Sequence, residues 1–192
     1  MKKHQPISAR RNFLKKSATF GLGTAGAFGI PVFGFSNSNH FSMRDEINIV
    51  GPKEGFTPQI GTMVSMMNWM RKQILYPIKG LTVKQLDYLH DENSNTIGAM
   101  LLHLAATERF YQIHTFEGVS WGEWSEADDN EWSTPMGLGA KGRQQIKGHD
   151  LDYYLKKLED VRAYTLEEFA KRDDDWLMAV DEDWFWGPTN NY

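Results

Sequence analysis

The sequence predicts an all-α protein, a bundle of three long helices plus one short one. Apolar residues recur at three- and four-residue steps over 60–74, 97–111 and 151–169, which is helical spacing. A helix-start residue precedes each run: Thr57, Asn95 or Thr96, and Asp150. The chain has 192 residues, 41% of them apolar and 24% charged, enough for one globular domain with a real core.

Residues 1–36 fall outside that domain. Ser8-Ala-Arg10-Arg11-Asn12-Phe13-Leu14-Lys15 matches the twin-arginine export motif. An uncharged run from Ser17 to Phe35 follows, diluted by glycine, in the layout of a basic segment before a weakly apolar one. Export to the periplasm or another extracytoplasmic space is expected, with membrane contact only through this segment; a retained anchor is the alternative. Residues 37–56 are polar and read as a linker, and 57–192 as the bundle domain.

The charge is uneven. The first 36 residues hold six bases and no acid, which leaves 15 of the 21 Lys and Arg against all 25 Asp and Glu, a net of −10. A body this acidic, without a basic patch, excludes nucleic acid as a partner. No cysteine occurs, so disulfides, thiolate ligands and a cysteine nucleophile are excluded.

Thr57-Pro58 opens the first helix, with Ile60, Met63, Val64, Met67, Met70 and Ile74 as its inner stripe. Met63, Met66, Met67 and Met70 suit flexible core packing, or more remotely a soft metal. Thr82-Val-Lys-Gln85 is a capping box for the short helix, expected to reach His90. The central helix runs from Asn95 to Gly118, with Ile97, Met100, Leu101, Leu104 and Tyr111 expected as its buried stripe. His103 borders that stripe and has two readings, a hydrogen-bonded structural histidine or a metal ligand or base. His114 cannot share its metal: eleven residues at about 1.5 Å rise separate them by roughly 16 Å.

From Val119 to Lys147 the periodicity breaks up. Trp121, Trp124 and Trp132 stand there among small and acidic residues, and either form a ligand-stacking loop or plug the end of the bundle. Asp128, Asp129 and Glu131 read as a solvated acidic loop. Asp150 opens the third long helix, whose buried face is Leu151, Tyr154, Leu155, Leu158, Val161, Thr165, Leu166 and Phe169. Arg162 is expected to pair with Glu159 or Asp160 on the surface. Residues 179–186 read as extended, and Thr189 or Asn190 as the cap of a further helix.

The run Asn93-Ser-Asn-Thr-Ile-Gly-Ala-Met-Leu-Leu-His103-Leu-Ala-Ala-Thr-Glu resembles the second-helix motif of the DinB / YfiT-like superfamily. The likeness extends from about Phe56 to Tyr192, through Leu81-Thr-Val-Lys-Gln-Leu and Leu155-Lys-Lys-Leu-Glu-Asp-Val-Arg-Ala-Tyr-Thr-Leu. The resemblance implies a four-helix metal-binding bundle in which His103 is one of three metal ligands. It also implies a fourth helix carrying a His-x-x-x-His pair. The sequence ends at Tyr192 before such a pair, so the fourth helix is expected to be absent here and no tight metal site is expected. A bundle lacking that helix would expose apolar stripes and invite a homodimer.

Two functions follow as expectations. By resemblance, the complete protein is a hydrolase or thiol-dependent transferase using Zn or Ni, its substrate an unknown small molecule. Alternatively it is a non-catalytic exported binding module that uses its tryptophan-rich loop, with His103 structural.

Overall fold

A computed structural model describes residues 47–192 apart from Phe185. The signal segment and the start of the linker lie outside the described residues. The helices are α1 (Pro58–Leu75), α2 (Val83–Leu86), α3 (Ile97–Thr115), α4 (Glu126–Gly137), α5 (Gly139–Gln145), α6 (Leu151–Ala170) and α7 (Asp174–Met178). Two short strands, β1 (Val180–Asp181) and β2 (Thr189–Asn190), pair antiparallel, Val180 opposite Asn190. The fold is all-α, and no described helix is long and apolar enough to cross a membrane.

The three long helices start where the cap residues place them. Thr96 accepts from the Ala99 N–H and Asp150 from the Tyr153 N–H, each relieving an unpaired donor of the first turn. Both halves of the Thr82–Gln85 capping box form, but α2 ends at Leu86 rather than near His90. Thr57 precedes α1 without capping it. Its hydroxyl instead donates to Asp174, whose carboxylate also accepts from the Gln59 and Ile60 N–H groups. The first turn of α1 is therefore capped from α7.

The stretch after Val119 is not one long loop, because it holds α4 and α5. Ser125 caps α4 by accepting from Asp128, and Glu126, Asp128 and Asp129 occupy its first turn, where acids favour the helix dipole. Thr189 and Asn190 do not cap a helix; they pair with β1. The expected stripe of α3 is buried only at Leu101 (3% exposed), whereas Ile97, Met100, Leu104 and Tyr111 are 36–44% exposed. The face that packs is the neighbouring one, with Ala99, Leu102, Ala105 and Ala106 buried.

Small residues explain that choice. Gly98 lies against α6 so closely that a Cβ there would stand 2.6 Å from the Tyr154 phenol oxygen. Likewise a Cβ on Gly61 would stand 2.5 Å from the Lys53 backbone nitrogen, where the preceding segment crosses α1. That segment is fastened by Ser65, whose hydroxyl donates to the Ile49 carbonyl. The end of the predicted linker thus belongs to the fold.

Two apolar clusters result. The larger joins α3 to α6 and α4 through Leu102, Ala106, Trp132, Tyr154, Leu158 and Val161. The smaller joins the start of α1 to the end of α6 and to α7 through Ile60, Val64, Phe169 and Leu177. Past Val64 only Met67 and Leu75 of α1 reach the clusters, and Met66, Met70 and Ile74 of its predicted inner stripe or beside it are exposed.

Candidate functional site

The gap between α1, α3 and α6 is a cavity of about 820 Å³, in the range that holds a small organic ligand. The methionines Met63, Met66, Met67 and Met70 of α1 form one wall. Leu104, Thr107, Glu108 and Tyr111 of α3 form another, and Leu158, Arg162, Thr165 and Phe169 of α6 a third. Aromatic side chains rim it: Trp121, Trp176, Trp184 and Trp186. The β1–β2 pair places Asp181 and the segment Thr189–Tyr192 at the same rim.

A polar network crosses this largely apolar space. Arg162 donates to both oxygens of Glu108, from Nε at 2.7 Å and from Nη2 at 3.1 Å. Thr165 donates to Glu108 at 2.7 Å, and Gln112 donates to Thr165 and to the Val161 carbonyl. Arg162 does not pair with Glu159 or Asp160 on the surface as expected; its partner is on α3, and both side chains are about 85% buried. Its Nη1 is buried and has no hydrogen-bond partner. Arg71 shares the cavity and makes no hydrogen bond or ion pair with any described residue. Burial lowers its guanidinium pKa, and the like charge of Arg162 lowers it further, against the opposing pull of Glu108 and then Glu159. Arg71 nonetheless stays charged, as arginines do.

His103 faces away from the cavity. Its Nδ1 lies 3.0 Å from the Pro135 carbonyl oxygen. A carbonyl only accepts, so Nδ1 carries the proton and donates. Pro135 lies in the last turn of α4, where carbonyls lack helical partners, so His103 closes that helix end. Among the described residues no three His, Asp or Glu side chains converge to hold a metal. Among the described residues, no side chains beside His103 supply the other two ligands that the resemblance implies.

The three tryptophans expected in one ligand loop separate. Trp121 reaches the rim, donates to Asp181 at 2.9 Å, and meets Trp184 edge-on at 3.7 Å between ring centres. Trp124 packs against the larger cluster and Trp132 is buried within it. His114 is held at both ring nitrogens: Nδ1 lies 2.8 Å from the Val119 carbonyl oxygen, and Nε2 accepts from the Gly122 N–H. Sequence reasoning missed Arg71, Glu108 and the whole C-terminal rim. The available signal was a charge on an apolar face: Arg162 lies four residues after Leu158, and Glu108 four after Leu104.

The sequence model of the DinB superfamily matches residues 66–191, from the middle of α1 through β2. No curated protein matches the chain in a sequence search. The matched segment spans the walls of the cavity together with the His103 helix, and the chain belongs to the DinB superfamily.

Proposed function

We propose that this protein is a non-catalytic binding module of the DinB superfamily that holds a small, largely apolar molecule in the cavity between α1, α3 and α6. The reading includes export by the twin-arginine route, carried by Arg10, Arg11, Phe13, Leu14 and Lys15. One observation carries the binding reading: a cavity of about 820 Å³, walled by methionine and rimmed by tryptophan, centred on a few fixed polar groups. Methionine is unbranched and adapts to varied shapes, which suits a wall of a binding site. In this reading His103 serves the fold, its Nδ1–H donating to the Pro135 carbonyl at the end of α4.

The test uses the full chain and Nile red, a neutral apolar dye. Its fluorescence should rise on binding, and Leu104→Trp, which fills the cavity from a partly exposed position, should abolish that rise while the circular dichroism spectrum is kept. A folded protein that leaves the dye dark refutes the proposal.

A further inference from the structure

We infer that the cavity selects a monocarboxylate with an apolar body, its head group recognised by Arg71 and by the unpartnered Nη1 of Arg162; this rests on the cavity being a binding site. Three observations converge. Arg162 spends Nε and Nη2 on Glu108, and its Nη1 is buried without a partner. Such an atom has lost its water without regaining a hydrogen bond, which is costly for a charged group. Arg71 opens onto the same cavity with its fork unused by any described residue.

The charges then set the ligand. Of the charged groups lining the centre two are guanidiniums and one is a carboxylate, Glu108, an excess of one positive charge at the wall; Glu159, which also acts on Arg71, lies outside the lining. Asp181 also lines the cavity, but at the rim, where it accepts from Trp121. A singly charged carboxylate balances the excess. A doubly charged phosphate overshoots it and faces repulsion from Glu108. A carboxylate also matches the planar fork of Arg71 for bidentate pairing. Nη1 is buried, so a head group reaches it only when the side chains around it give way. The methionine wall then receives the apolar body.

The experiment compares decanoate with decanol on the full chain by isothermal titration calorimetry. Decanoate should bind at least about tenfold more tightly, as expected for one charge-assisted pair. Arg71→Gln should erase that advantage and leave decanol binding unchanged. Because Arg71 has no ion pair to lose, this variant should fold; Arg162→Lys, which keeps the charge beside Glu108 but removes the second nitrogen, is the companion and should weaken decanoate selectively. Equal affinity for acid and alcohol overturns the inference, as does an Arg71→Gln protein that still prefers decanoate. If Nile red enters and decanoate does not, the head-group assignment falls and the cavity reading stands. If neither binds and sedimentation shows a dimer, a second copy covers the groove and both fall.

Discussion

The two faces of α3 were built to different rules. One presents Gly98, Ala99, Leu102, Ala105 and Ala106, small or tightly fitted, and α6 approaches until nothing fits between. The other presents Met100, Leu104 and Tyr111, large and partly exposed, with the charge of Glu108 among them. A face meant for close helix packing is trimmed, because interiors tolerate little added volume. A face with long side chains and a buried ion pair has kept room. The helix is thus structural on one side and receptive on the other.

The sharpest way to break that contrast is Glu108→Ala. It leaves the Arg162 guanidinium largely buried and unpaired, and should cost about 3 kcal/mol in urea unfolding, since removing one member of a buried pair strands the other. A smaller loss would mean that the receptive face is wetter than its burial implies. On the close-packed face, Gly98→Ala should cost about 2 kcal/mol, because the new methyl meets the Tyr154 ring. His103→Ala should cost about 1 kcal/mol, the worth of its bond to Pro135, and leave the metal content by mass spectrometry unchanged. Metal lost with the imidazole would restore the ligand reading of His103. Leu104→Gln, on the open face, should change stability by less than about 0.5 kcal/mol while weakening Nile red binding.

Acid offers a further test, directed at α1. The Thr57 hydroxyl, then the Gln59 and Ile60 N–H groups, hold the Asp174 carboxyl below its ordinary range. A depressed folded pKa gives stability that is present above the unfolded value, about 3.9, and is lost as pH falls through the folded one. Hydrogen-exchange protection factors at the start of α1 should therefore fall below about pH 4, and Asp174→Asn should remove that dependence.

Much of this was legible from sequence. The three long helices, the Thr96 and Asp150 caps and the Thr82–Gln85 box are local features, and local features survive folding. The superfamily was readable in the run through Gly98 and His103, which the matched segment contains. Helix α4 was not: Pro135 sits inside it and its acidic start resembles a solvated loop, although Ser125 and Asp128 spelled out the cap. Nor was the open face. Periodicity shows that Leu104 and Leu101 are apolar, but not which of them meets a neighbour. The meeting of Arg71, Glu108 and Arg162 depends on three helices at once, and spacing along one of them carries no trace of it.

One feature of α1 bears on how such a cavity could admit its guest. Asp174 grips its first turn, and Ser65 and Gly61 tie its first half to the segment crossing at Ile49–Lys53. Its second half, from Met66 onward, is fastened by neither tie. The far end is held as well, because Leu75 packs on the larger cluster and Ile78 just beyond it is buried there, and a rod held at both ends bows most in the middle. Met66 and Met70, exposed in that middle stretch, should therefore set how wide the entrance opens.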